Sequence, residues 1–178
     1  MTSFAKYQNA LTALVAIIAG EGELRGRVRL QKLGYLLQQR GFEPLSHVRF
    51  AYHHYGPYSD QFAGVLDQSV EFGLVREDTR MHEGGRRQYR YTVSSEHPDL
   101  EWLTLPTTAQ TELDAFLQTT KPYGYRTLEL AATVVYLERN LTIPRDAAFE
   151  RALGLKPHCK KHTSDADKLL GDLGSLRK

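Results

Sequence analysis

Hydrophobic positions at helical spacing predict two helices in the first forty residues. They recur every three or four residues over about 3–19 and again over about 27–40, which is the spacing of one helix face. Gly20 and Gly22 close the first helix, and Gly41 ends the second with Phe42 folded back onto its last turn. Gly34 lies inside the second helix. Because an internal glycine is about 1 kcal/mol less favourable than alanine, we expect a close helix crossing there.

Residues 48–74 predict a short strand followed by a third helix. Residues 48–52 alternate in polarity as a half-buried strand does, and apolar residues return to helical spacing after position 61. Gly56-Pro57 is interpreted as the hinge between the two, with Ser59 capping the new helix. Gly73 provides a left-handed stop for this third helix, and Leu74 folds back on it.

Two further strands, about 74–80 and 88–93, flank Gly84-Gly85, which is a strong hairpin signal. Helix, helix, strand, helix, hairpin is the order of a winged helix. A linker-like stretch at 94–99 precedes a second group of helices. The first of these is capped by Thr107 or Thr108, and the next covers about 127–140. A short helix follows Pro144, and the last helix is capped by Thr163 or Ser164. The predicted fold class is mainly α with a small β-hairpin (α+β). It comprises a winged helix-turn-helix-like unit over 1–95 and a helical extension over 100–178, and a core common to both is left open.

The composition of the chain predicts the class of protein and its cellular compartment. The chain has 178 residues, of which 41% are hydrophobic and 25% charged, as in ordinary globular proteins. Its longest apolar run, 13–19, is far shorter than the roughly 20 residues of a membrane span, and no signal-type segment opens the chain. The single cysteine, Cys159, excludes an internal disulfide framework. We therefore expect a cytoplasmic protein without a membrane contact.

The net charge of +2 is unevenly distributed. Basic residues crowd the second helix and the hairpin, where they are candidates for contacting nucleic-acid phosphates; the alternative is a solvated face. The third helix would enter the major groove in a helix-turn-helix protein, yet it has no Lys or Arg and contains Asp60, Asp67 and Glu71. The nucleic-acid-binding candidates are Arg25, Arg27, Arg29, Lys32, Arg86, Arg87 and Arg90.

Aromatic residues crowd the predicted hinge. Tyrosine combines a large apolar area with a polar tip and is enriched in protein interfaces, so Tyr55, Tyr58 and His54 are the protein-interface candidates. Support of the turn is the alternative role. His158 and Cys159 are metal-ligand types, with His162 four residues after the first, but a structural zinc takes four ligands. We predict no metal, no cofactor and no catalytic residues.

Several motifs carry a family resemblance. Residues 26–37 (GRVRLQKLGYLL), 52–59 (YHHYGPYS) and 71–75 (EFGLV) resemble the YwgA-type winged-helix family. Residues 128–133 and Lys156-Pro157-His158 resemble that family's C-terminal helices. The family is similar to the Panacea domains, which include SocA-like antitoxins. The resemblance implies an antitoxin, adaptor or phage-defence role and supplies no catalytic residues.

Two functions follow as expectations. The first is a non-enzymatic interaction module that binds a protein partner, such as a toxin or a protease-type client. The alternative is a winged-helix DNA-binding protein or transcriptional regulator that contacts the phosphate backbone through the second helix and the wing. A homodimer is compatible with either.

Overall fold

A computed structural model describes residues 2–81, 85, 87–95 and 100–175. The chain opens with helix α1 (Ser3–Glu21), whose first turn is capped by the Thr2 hydroxyl accepting from the Ala5 amide at 3.2 Å. Strand β1 (Leu24–Arg25) leads into helix α2 (Arg27–Gln39), and a short 3-10 helix follows at Glu43–Leu45.

Two short strands, β2 (Ala51–His53) and β3 (Gly56–Tyr58), form an antiparallel hairpin before helix α3 (Asp60–Glu71). Strands β4 (Val75–Met81) and β5 (Arg87–Val93) pair antiparallel, and β1 joins the other edge of β5, which gives the order β1-β5-β4. The two strands predicted over about 74–80 and 88–93 are therefore present as an antiparallel pair, and Gly84 of the predicted turn lies outside the described residues. Strand β1 and the β2–β3 hairpin lack a strong pattern in the sequence.

The second half is helical. Its α-helices are α4 (Thr107–Thr120), α5 (Tyr125–Leu141), α6 (Arg145–Leu155) and α7 (Thr163–Ser175), with 3-10 helices at Leu100–Leu103 and Pro157–His162. Helix α5 packs against α2, β3, α6 and α7. Buried residues from both halves of the chain form one continuous core, from Ala10 in α1 to Leu173 in α7. The architecture is thus mainly helical α+β with small antiparallel sheets.

The helix stops predicted from glycine are confirmed. Gly41 and Gly73 have φ angles of 95° and 70°. The Leu74 amide donates to the Ser69 carbonyl at 2.9 Å, and the Gly73 amide donates to the Val70 carbonyl at 3.0 Å, the paired bonds of a Schellman motif. The Ser59 cap is also confirmed, since its hydroxyl accepts from the Phe62 amide at 3.1 Å.

The glycine in the middle of α2 marks a close helix crossing, as predicted. A Cβ atom on Gly34 would lie 2.7 Å from Cε1 of Phe62, a fully buried residue of α3. Helices α2 and α3 can therefore approach closely only because position 34 has no side chain.

Three local predictions were wrong. Residues Gly56-Pro57 are not a hinge between strand and helix but part of β3, and the preceding strand begins at Ala51 rather than at 48. A three-residue strand is too short for its alternation to be distinguished from a loop. Thr107 is the first residue of α4 and Pro106 occupies the cap position, because a residue fixed near φ −65° with no amide hydrogen also suits a helix start.

In the described residues, the helices are all too short or too polar to cross a lipid bilayer.

Candidate functional site

The candidate site is built around the β2–β3 hairpin and the helices beneath it. Tyr52 pairs with Pro57 and His53 with Gly56 across the two strands, which leaves His54 and Tyr55 at the turn. The hairpin rests on α5 at Gly56, whose φ of +80° and missing side chain allow the contact. A Cβ atom there would lie 2.6 Å from Oγ1 of Thr133.

Two buried lysines tie the hairpin backbone to the core. Nζ of Lys32, from α2, donates to the Pro57 carbonyl at 2.7 Å, and Nζ of Lys156 donates to the His54 carbonyl at 2.6 Å. Both side chains are 1% exposed. Gln31 adds a reciprocal pair, since its amide donates to the Ser59 carbonyl at 3.0 Å and accepts from the Ser59 amide at 2.9 Å. The hairpin is therefore fixed by polar contacts made inside the protein.

A fully buried carboxylate lies next to these lysines. Glu129, in α5, is 0% exposed, and its oxygens lie 2.9 Å from a guanidinium nitrogen of Arg126 and 3.1 Å from Nζ of Lys156. Nε2 of His158 is 3.4 Å away. We call Arg126, Glu129, Lys156 and His158 the buried charge cluster. A buried carboxylate persists only when it is paired and hydrogen-bonded, and these cations meet that need.

Lys156 forms an ion pair with Glu129, whereas Lys32 forms none with the described residues. Its only hydrogen-bond acceptor among the described residues is the Pro57 carbonyl, and none of the described carboxylates lies within the 4.0 Å of an ion pair. Burial lowers the pKa of Lys32 from its ordinary 10.5 to about 7; Glu129 opposes that shift and Lys156 adds to it. Lys32 is thus a buried amine that titrates near neutral pH, and such groups are enriched at functional sites.

A pocket of about 170 Å³ opens between the hairpin and the start of α2. Its floor and walls come from both elements, and we call it the hairpin pocket. None of its described lining residues is acidic. The lining residues are Arg27, Val28 and Lys32 from α2, and His53, His54, Tyr55 and Tyr58 from the hairpin.

The predicted protein-interface residues meet at this pocket. Tyr55 is 55% exposed at the hairpin turn, Tyr58 is half-buried, and His54 is exposed. The ring of Tyr58 lies 5.2 Å from that of His53. The structure therefore brings the three residues together on one rim, and the sequence-predicted aromatic cluster is a spatial cluster too.

The basic residues predicted to contact phosphate are largely engaged within the chain. Arg27 lies 2.7 Å from Asp67 of α3 and 3.3 Å from Glu77 of β4. Arg29 is buried against Glu21, with a closest distance of 2.5 Å. Lys32 is inside the protein, as described above. The acidic α3 thus neutralises part of the basic α2.

Three of the remaining candidates, Arg25, Arg87 and Arg90, lie on the β1-β5-β4 sheet. Glu23 accepts from Arg25 at 2.9 Å and from Arg90 at 2.9 Å. These contacts, first that of Arg25, hold the pKa of Glu23 below its ordinary value. Arg87 is exposed at the start of β5. Arg86 lies outside the described residues. Arg25 and Arg87 are accordingly the most accessible described members of the set.

A set of metal-ligand types also occurs in the structure. The ligand atoms of Glu129, His158 and Cys159 lie within 4.8 Å of one another. Burial, and then Glu129, raises the pKa of the Cys159 thiol to about 11, so the thiol is protonated at neutral pH. A divalent cation would have to compete with Lys156 and Arg126 for the Glu129 carboxylate, and a structural zinc takes four ligands. The arrangement is better explained as an ion-pair network, and the absence of a metal stays a prediction.

Sequence reasoning missed the buried charge cluster. One signal was present, because Glu129 interrupts an otherwise uncharged run from Thr127 to Val135. A charged residue in such a run lies either on a solvent face or in a buried pair, and the spacing alone does not distinguish these. Lys156 is about 27 residues further along the chain, so their contact depends on how α6 returns to α5.

The fold and the site together define a mainly helical α+β protein with a buried charge cluster beneath an aromatic hairpin. No family model matches the chain. The chain is 26% identical over 131 residues to the uncharacterized protein YwgA of Bacillus subtilis (strain 168), an alignment that covers 70% of this chain and 72% of that protein. This distant similarity is consistent with the YwgA-type motifs in the sequence.

Proposed function

We propose that this protein is a non-enzymatic interaction module that holds a protein partner on its β2–β3 hairpin. The observation that carries the proposal is the exposed Tyr55 ring beside the hairpin pocket, on a hairpin whose backbone is fixed by Lys32 and Lys156. Tyrosine is enriched among the few residues that dominate the binding energy at the centre of protein interfaces. Antitoxin, adaptor or phage-defence roles in the cytoplasm are the forms of this function that the motif resemblance suggests.

Pre-organisation is the physical reason to favour the hairpin. Binding by a loop that must first become ordered loses affinity to that ordering. Here the carbonyl of His54, in the turn, and that of Pro57, in β3, accept hydrogen bonds from the buried amines of Lys156 and Lys32. The backbone that carries the tyrosines is therefore held in place before a partner binds, which reduces the ordering cost of binding.

Winged-helix architecture of the first 95 residues is part of this proposal. The order α1, β1, α2, α3, β4, β5, with the β2–β3 hairpin inserted between α2 and α3, and the sheet order β1-β5-β4 support it. In that architecture α3 would be the recognition helix. Its acidic side chains Asp60, Asp67 and Glu71 favour a protein surface over a phosphate backbone.

Nucleic-acid binding is the second candidate, because Arg25 and Arg87 remain exposed on one sheet. A basic sheet edge can contact phosphates without reading bases. The pairing of Arg27, Arg29 and Arg90 with carboxylates of the same chain reduces the charge available for this contact. Partner binding is therefore the better-supported function.

The test is capture of the partner from a lysate of the native host, repeated after nuclease treatment. The retained protein is then identified, and its affinity for purified wild type and variants is measured. We expect Tyr55→Ala or Tyr58→Ala to weaken binding by about 2 kcal/mol or more, as for a central aromatic residue. Tyr125→Ala is the matched control, since that ring is 46% exposed on α5.

Each result has a clear meaning. Full partner affinity in folded variants at both hairpin positions would place the interface elsewhere. Loss of all captured protein after nuclease treatment would favour the nucleic-acid function. In that case Arg25→Ala with Arg87→Ala would weaken binding to a mixed-sequence DNA duplex and flatten its salt dependence. A catalytic activity of the purified protein would contradict the non-enzymatic proposal.

A further inference from the structure

The hairpin pocket combines an apolar lining with an incompletely satisfied buried cation. An ammonium group has three donors, and the Lys32 amine uses one of them, on the Pro57 carbonyl, among the described residues. The residue is 1% exposed and forms part of the pocket wall. None of the described carboxylates lies within ion-pair distance of the amine, so its protonated form lacks a counter-ion. A buried charge is stable only when it is paired.

The groups around Lys32 do not supply that counter-ion. On its own helix, Arg27 is another cation, already bound to Asp67 and Glu77. On α5, the Glu129 carboxylate raises the pKa of Lys32, but its oxygens are paired with Arg126 and Lys156.

The other elements around Lys32 are no more acidic. The hairpin contributes two imidazoles, His53 and His54, and two phenols, Tyr55 and Tyr58. Lys156, which follows α6, is a further basic residue, and its charge lowers the pKa of Lys32. The described lining of the pocket therefore has two basic side chains, Arg27 and Lys32, no acidic one, and tyrosine and valine surface.

We propose that the hairpin pocket binds a carboxylate on a short apolar stem, presented by the protein partner, with the Lys32 amine as its counter-ion. The carboxylate is either an acidic side chain or the C-terminus of the partner chain. The inference rests on the proposed function, because it names what the partner inserts beside Tyr55. The charge complementarity described above is its basis, and the volume of about 170 Å³ suits a single side chain rather than a segment of chain.

Binding of this kind is coupled to a proton. In the protein without a bound carboxylate, the pKa of Lys32 is about 7. An adjacent carboxylate would raise that pKa by about one unit or more. The complex therefore takes up a proton above neutral pH, and affinity should fall by about fivefold between pH 7 and pH 8.5. The measurement is made from pH 7 upward, the range in which the Lys32 amine loses its proton.

The experiment uses the full chain with lysines labelled with ¹³C at Cε, and follows the titration of Lys32 by NMR. Its signal is assigned by its loss in Lys32→Met. The probes are N-acetylphenylalanine, which mimics a chain terminus, and N-acetylglutamate α-amide, which mimics an acidic side chain. Their uncharged counterparts, N-acetylphenylalaninamide and N-acetylglutaminamide, are the controls, and inorganic phosphate is a separate arm.

We expect at least one carboxylate probe to bind about tenfold more tightly than its amide and to raise the Lys32 midpoint by about one pH unit or more. The probe that does so identifies the source of the carboxylate. Lys161→Met, at an exposed position, should leave both effects unchanged. Equal binding of acid and amide, an unchanged Lys32 midpoint, or tighter binding of phosphate than of both acids would each overturn the proposal. The comparison of each acid with its amide uses wild-type protein alone, so it tests the proposal even if Lys32→Met does not fold.

This test is separable from that of the proposed function. If Tyr55→Ala weakens partner capture while no carboxylate moves the Lys32 midpoint, the partner binds without a carboxylate and only this inference fails. If carboxylates bind but hairpin variants hold the partner at full affinity, the pocket has no role in partner binding, and the assignment of its carboxylate to the partner fails together with the proposed interface.

Discussion

Nζ of Lys156 lies 3.1 Å from Oε1 of Glu129, and both side chains are almost completely buried. The same ammonium donates to the His54 carbonyl at 2.6 Å. One ion pair thus connects α5, the segment after α6 and the β2–β3 hairpin. Although buried ion pairs add little net stability compared with apolar residues, removing one partner leaves an uncompensated charge.

Glu129→Gln should therefore be strongly destabilising. The change keeps the size of the side chain but leaves Lys156 and Arg126 without their carboxylate, which is expected to lower the free energy of unfolding by about 3–5 kcal/mol. Denaturant unfolding measures this value. Glu138→Gln is the control, because Glu138 pairs with Arg145 at 3.1 Å on the surface, where an ion pair contributes about 0–1 kcal/mol. Equal effects of the two substitutions would contradict the importance of the buried charge cluster.

Lys32 should make stability depend on pH above neutrality. Its pKa is about 7 in the folded protein against an ordinary 10.5, so between these values the unfolded chain binds more protons and stability rises with pH. Relative to Lys32→Met, the wild type should gain about 2 kcal/mol between pH 7 and pH 9. Urea unfolding at several pH values measures the difference.

The same pH series with Lys161→Met provides the control, because that side chain is exposed. Its difference from wild type should stay flat over the range. A flat difference for Lys32→Met as well would show that the buried amine has an ordinary pKa.

Gly56→Ala should loosen the hairpin from α5. The new methyl group would clash with Oγ1 of Thr133 at 2.6 Å, and the φ of +80° adds backbone strain. Gly85→Ala is the matched control, since Gly85 has a similar φ of +74° and open space around it. Thermal unfolding should show a larger loss for Gly56→Ala than for Gly85→Ala.

The excess loss has a specific origin that a double variant can test. In a Thr133→Ala background the clashing hydroxyl is absent, so Gly56→Ala should destabilise less than in the wild type. Additive effects of the two substitutions would show that backbone strain alone explains the result at position 56.

Gly34→Ala should force α2 and α3 apart. The added Cβ would lie 2.7 Å from the Phe62 ring, and overpacking of this kind is destabilising by about 1–3 kcal/mol. Gly64→Ala is the control, because Gly64 also lies within a helix but has nothing within 4 Å. That change should be neutral or stabilising, since alanine favours a helix interior. A neutral Gly34→Ala would mean that the helices adjust at no cost.

Local chemistry in the sequence was enough to predict much of the first half of the fold. Gly41 and Gly73 end helices because only glycine adopts their positive φ readily, and Ser59 caps α3 through its own hydroxyl. The β4–β5 pairing was predicted from two strand-like segments on either side of Gly84-Gly85. These features depend on residues a few positions apart, and their physical causes can be read from the sequence.

The sequence by itself also determined the chemical character of the hairpin, since its tyrosines and histidines are adjacent in the chain. Only the tertiary structure decided where the charges lie. Arg29 and Lys32 lie one helical turn apart on a basic helix, yet one is paired with Glu21 and the other is buried against Pro57. Lys156 meets Glu129 because α6 returns the chain to α5. Burial and pairing depend on residues distant in sequence, and a local pattern of charges does not contain that information.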